Sequence, residues 1–178
     1  AFGGMSFSLY RVTHQSHHAH LATERDEELW PFVHPGVSRP ARILAAILEL
    51  GLGMLYTPFL FIRASVRPGS TIRKKSLRRR IWAEFGVALS LWIVILGAVA
   101  WFGVWKYFIW VYLAPAWLAG NMQSLRKYIE HVGMLGSTVN SSTRSIVAHG
   151  WLGKLVAFTL LHEPFHGVHH RHSGLSHA

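Results

Sequence analysis

Residues 85–105, FGVALSLWIVILGAVAWFGVW, run 21 positions without a charged side chain. At 1.5 Å per helical residue that is about 30 Å, the thickness of a bilayer's hydrocarbon core. The run predicts a membrane-crossing helix; the competing reading is a buried helix pair in a soluble protein. After Lys106 comes YFIWVYLAPAWLAG (107–120), shorter, rich in aromatics and carrying Pro115. A chain that bends near Gly103–Lys106 and returns makes 85–120 a helical hairpin. Trp82, Trp105, Tyr107 and Trp117 fall near its expected ends, where rings with one polar edge favour the membrane interface.

Charge fixes the next choice. The formal charge of +10 comes largely from 63–80, which holds Arg63, Arg67, Arg73, Lys74, Lys75, Arg78, Arg79 and Arg80 and no acid. A basic chain alone would admit nucleic acid as a partner. This run, however, abuts the oiliest stretch of the sequence, so it reads as a cytoplasmic loop under the positive-inside bias, and no nucleic acid is expected. The stretch 43–62, ILAAILELGLGMLYTPFLFI, has the length of a span but contains Glu49 and Pro58. It is expected to lie in the interface or to dip in and return, because a third crossing would strand residues 1–40 away from 121–178. With no cysteine, disulfides and thiolate metal ligands are excluded.

Those two flanks carry the chemistry. HQSHHAH (14–20) contains His14-x-x-His17-His18, and HEPFHGVHHRH (162–172) contains His166-x-x-His169-His170. Two HxxHH patterns thus stand about 150 residues apart. On a helix, positions i, i+3 and i+4 share a face, so each pattern points its imidazoles one way. Neutral imidazole ligates iron, copper, nickel and zinc. Two facing patterns supply about six nitrogens, more than a tetrahedral zinc site uses. Such excess favours a multinuclear or octahedral centre, with iron the natural candidate. The acids of ERDEE (24–28), with Glu130 and Glu163, are placed to accept the second N–H of liganding histidines. His34, His149 and His177 read as ordinary polar histidines.

With these residues in view, the chain resembles the membrane fatty-acid desaturase and hydroxylase superfamily. HQSHHAHLATERDEELWP looks like that family's second histidine box with its acidic sequel, and HEPFHGVHH like its third. The hairpin 85–120 stands where a pair of spans is expected, and LRKYIEHVG resembles the segment supplying an extra ligand. The resemblance implies an all-α, multi-pass membrane fold forming a single domain over 1–178, with a cytoplasmic histidine-rich metal-binding cap. It implies two iron ions held by His14, His17, His18, His131, His166, His169 and His170, with Glu130 and Glu163 behind them. It implies O₂-dependent oxidation of a lipid or acyl chain, acyl desaturation first, with hydroxylation or carotenoid ketolation as alternatives. An electron donor such as a ferredoxin, a cytochrome or a reductase is implied as partner. The family's first box, HxxxH or HxxxxH, has no counterpart before His14. Either it lies upstream or this is a degraded relative, and a chain lacking it is expected to hold an incomplete site and not to turn over alone.

Rival readings remain open at this point. HEPFH (162–166) satisfies HExxH, in which two histidines bind zinc and the glutamate acts as base. Pro164 disfavours the regular helix which that motif needs, and His14, His17 and His18 are left without a role. Haem ligation or metal transport would place histidines or other ionisable ligands within the spans, and 85–105 and 107–120 contain no histidine.

Overall fold

The computed structural model describes residues 5–70, 72–134, 136, 138–147, 149–159 and 165–174. Among them every regular element is helical. Helix α1 (Phe7–Ala19) starts at Ser6, whose hydroxyl accepts from the Leu9 N–H at 3.0 Å. This cap satisfies one of the donors that every helix start leaves over. After an irregular segment, α2 (Arg39–Gly51) and α3 (Gly53–Val66) follow, and then α4 (Lys75–Trp101). A three-residue turn, α5 (Trp105–Tyr107), leads through a π-helical stretch (Phe108–Leu113) into α6 (Ala114–His131). Short helices α7 (Val139–Ser142), α8 (Gly150–Thr159) and α9 (His166–Arg171) complete the chain.

The hairpin forms, and its return arm is longer than 107–120. Gly103 makes the bend with φ +64°, a left-handed conformation that glycine alone adopts without a steric cost. Pro115 does not end the return arm. It lies in the first turn of α6, directly after the π-helical stretch, where widened helical turns accommodate the missing N–H. The arm therefore continues to His131. Trp92 of α4 packs on Phe108 and Tyr112 across the hairpin, with ring centroids 6.4 and 5.2 Å apart. Among the described residues, α4 alone is long and apolar enough to cross a membrane. Its most apolar window has a mean hydropathy of 2.1 with only 11% buried, whereas the core helix of a soluble protein would be mostly covered.

The stretch 43–62 is not one helix. It breaks at Leu52, between α2 and α3, and α6 seals the joint. The Gly51 carbonyl accepts from Trp117 Nε1 at 3.0 Å and Asn121 Nδ2 at 3.2 Å, while the Gly53 N–H donates to Asn121 Oδ1 at 2.8 Å. The two helices touch backbone to backbone here: a Cβ on Gly53 would lie 2.4 Å from the Gly120 carbonyl oxygen.

Nor is the basic run 63–80 a loop throughout. Arg63 lies in the last turn of α3, and residues 75–80 begin α4. Arg63 donates to Glu27 at 2.9 Å and stacks over Trp30, and Arg67 also pairs with Glu27. Two of these cations thus clamp the segment after α1 instead of facing a membrane surface. Beneath the histidines, Leu9, Ala45, Tyr56, Leu60, Phe61, Ile72 and Ile81 form the buried core.

Glu84 anchors α1 to α4. Its carboxylate accepts from Ser6 Oγ at 2.7 Å, Ser8 Oγ at 2.6 Å and the Ser8 N–H at 2.9 Å, and pairs with Arg80. Replacing Glu84 by Ala should cost about 1.5–3 kcal/mol, the range for hydrogen bonds to a charged group. The loss should appear as faster amide exchange through Phe7–Ala19; unchanged exchange there would remove the anchor.

Candidate metal centre

Three elements bring seven histidines together. His14, His17 and His18 lie on one face of α1, His131 is the last residue of α6, and His166, His169 and His170 lie on α9. The ring nitrogens sort into two groups: His17, His131, His166 and His170, largely buried, and His14, His18 and His169, half-buried. Within each group one ligand atom from every residue lies within 4.8 Å of the others. The groups adjoin, with the His18 and His170 ring centroids 4.2 Å apart. His20, His34, His149 and His172 join neither group, and His162, Glu163 and His177 lie outside the described residues.

Four of the rings, His14, His17, His131 and His166, face a partner on the far nitrogen. Nδ1 of His17 meets both Asp26 carboxylate oxygens at 2.9 Å, and Nδ1 of His14 meets Glu28 at 3.1 Å. Nδ1 of His131 donates to the Ser142 carbonyl at 3.2 Å, and Nδ1 of His166 lies 3.3 Å from Glu130. Glu130 was expected behind the ligands; Asp26 and Glu28 are the members of ERDEE that serve, while Glu27 holds arginines. Asp26 is itself held by the Ala22 and Leu29 N–H groups, which keeps its oxygens aimed at His17.

A proton on Nδ1 leaves the lone pair on Nε2, and the Nε2 atoms converge. His131 and His166 approach to 2.6 Å, His166 and His170 to 3.0 Å, His18 and His169 to 3.1 Å, and His18 and His14 to 3.3 Å. Lone pairs turned on one another at such distances repel unless a cation lies between them. With metal–nitrogen distances of about 2.0–2.1 Å, ligand nitrogens stand roughly 3 Å apart, so the residues present fit a metal.

The electrostatics agree. Burial first, and repulsion from neighbouring imidazoles second, lower His18 to about 4, His131 to about 3 and His170 to about 2, and push His166 down as well. These rings are neutral at pH 7, which is the ligating form. His17 differs. Burial opposes its charge, yet the carboxylates of Glu28 and Asp26 outweigh burial and raise it. Burial likewise opposes charge on Glu28, while His17 and His14 draw its carboxyl down to about 2.

A cavity of about 180 Å³ opens onto His14, His17, His131 and His166, with Met5, Tyr10, Leu60 and Phe61 as its apolar wall. Lys127 and Glu49 also line it. Neither was read from the sequence as part of a site. Glu49 had signalled only an interruption of an oily run, and Lys127 sits in LRKYIEH without a pattern of its own.

Such a chain is a helical protein with a histidine cluster that could hold metal, beside a long apolar helix. A family model described as fatty acid desaturase matches residues 1–178, and the chain belongs to that family. Its membership makes it a desaturase-like oxidoreductase of a membrane-associated, metal-dependent kind acting on lipid or acyl substrates. Comparisons with curated proteins and with solved structures give no match.

Proposed function

We propose that the chain belongs to a membrane di-iron oxidase, a fatty-acyl desaturase that uses O₂ and an external electron donor. The observation that carries this is the pair of adjoining histidine groups, four nitrogens and three, with His14, His17, His131 and His166 each facing a partner on the far side. His17, His131, His166 and His170 would hold one iron, and His14, His18 and His169 the other. Two irons there would supply the oxygen-activating power needed to take hydrogen from an unactivated methylene. The chain's own residues do the rest. Asp26, Glu28, Glu130 and the Ser142 carbonyl hold the Nδ1 side of their histidines, so that each Nε2 keeps a lone pair for the metal. The apolar wall of the cavity, Met5, Leu60 and Phe61, orients a hydrocarbon segment towards the histidines and keeps water from it. The hairpin α4–α6 crosses the bilayer twice, α2 and α3 lie at its surface, and the basic start of α4 marks the cytoplasmic side where the histidines sit.

The zinc-protease reading uses His166 in another way. It gives no role to His17, His131 and His170, which surround His166. One experiment separates the readings: elemental analysis of the full chain purified from membranes supplied with iron and zinc, beside acyl analysis of the host lipids. Iron in the protein with new double bonds in host acyl chains is the expected result. Hydroxylated or ketonic products would move the assignment within the superfamily. A single zinc that survives His17→Ala but not His166→Ala would sink the di-iron reading.

A further inference from the structure

Glu49 interrupts an apolar stretch, and its side chain is fully buried. It pairs with Lys127 of α6, whose ammonium also donates to the Glu28 carbonyl at 3.0 Å. Both side chains line the cavity that opens onto His14, His17, His131 and His166. Lys127 precedes His131 by one helical turn, on the same face of α6.

Stability is a weak reason for such a pair. Desolvating two ions roughly cancels their attraction, and an apolar pair of similar volume serves as well or better. Position offers a stronger one. An ammonium one turn from a ligand, in a partly buried cavity, repels a divalent cation with less screening than at an open surface. Yet Lys127 has a task there: it grips the main chain of Glu28, whose carboxylate meets His14 Nδ1. A cation useful for positioning and harmful to metal binding requires a neighbouring anion.

We propose that Glu49 is a charge-compensating, positioning residue of the metal centre: its carboxylate neutralises Lys127, so that Lys127 holds Glu28 and His14 in place without repelling the bound metal. The proposal rests on the metal-centre reading above and adds to it a buried acid that touches no ligand.

The test uses Co²⁺ as probe on the purified full chain, followed by its visible absorbance in wild type, Glu49→Asp, Glu49→Gln and the double variant Glu49→Gln/Lys127→Gln. Glutamine at 127 removes the charge and keeps a donor for the Glu28 carbonyl. Glu49→Gln should weaken Co²⁺ binding by about tenfold or more, the scale on which groups behind metal ligands act. Glu49→Asp and the double variant should recover most of that loss. Unchanged binding in Glu49→Gln overturns the proposal, and so does a double variant as weak as the single one, which would make Glu49 merely structural. If Glu49→Gln fails to fold, the double variant decides: folded with near wild-type binding it supports charge compensation, and unfolded or weak it overturns it. Wild-type protein that binds no Co²⁺ would instead sink the metal-centre reading itself.

Discussion

Changing His17 to Ala should empty one metal site and spare the other, so that metal content falls from about two ions per chain to about one, one nitrogen being a large part of a four-nitrogen set. The half-buried group, His14, His18 and His169, keeps all its nitrogens in this variant. His18→Ala should produce the complementary loss. Elemental analysis of both variants checks this, and a chain that loses all metal in both, or none in either, would contradict two separable groups. His17→Ala also leaves the Asp26 carboxylate buried without its imidazole, which for a buried pair costs about 3–5 kcal/mol. Making the Asp26→Asn change alongside should return part of that stability without returning the metal, so folding and ligation can be read apart.

Gly120→Val should be the most damaging substitution in the helical frame. A Cβ at Gly120 would lie 2.6 Å from the Met54 nitrogen and 2.7 Å from its Cα, both backbone atoms that cannot turn aside. The helices must then separate, at an expected cost of about 3 kcal/mol or more, a large share of a domain's usual margin. Because α3 and the α2–α3 joint would move with the contact, Glu49 should come off Lys127 and metal retention should fall with stability. Gly97 on α4 provides the comparison, since a Cβ there meets nothing within 4 Å. Gly97→Ala should be neutral or gain up to about 1 kcal/mol from helix propensity. Denaturant unfolding in detergent measures both. Equal midpoints for Gly120→Val and wild type would refute the close crossing.

Much of the site was visible in the sequence because its information is local. HxxHH marks two helix faces by spacing alone, and ERDEE follows the first within one turn of chain. His131 was not marked by pattern; only the family resemblance pointed to it, since a lone EH pair at a helix end has no periodicity to reveal it. What stayed hidden depends on contacts between distant segments. Glu49 and Lys127 are 78 positions apart and belong to different helices, so neither signals the other. Gly53 and Gly120 are single glycines whose meaning appears only where two backbones meet. Arg63 and Arg67 look like any basic flank of a membrane helix until Glu27 is folded onto them. The span was legible as a length without charges, whereas the π-helical stretch that carries the return arm past Pro115 was not, because it depends on how the backbone redistributes its hydrogen bonds around one missing donor.

The two arms of the hairpin, Lys75–Trp101 and Trp105–His131, contain the same number of residues. That equality works as a ruler. The chain leaves from its basic residues, travels roughly 40 Å along the outgoing arm and returns over as many residues to end on His131, a proposed ligand. One residue inserted in the return arm beyond the Gly120 contact would turn His131 by about 100° and carry it about 1.5 Å along the axis, away from His166. Irregular segments such as residues 20–38 can absorb a change of length by rearranging; a helix pinned at its middle and ending in a ligand cannot. The arms are therefore a calibrated part of the proposed metal site, although most of their residues lie far from it.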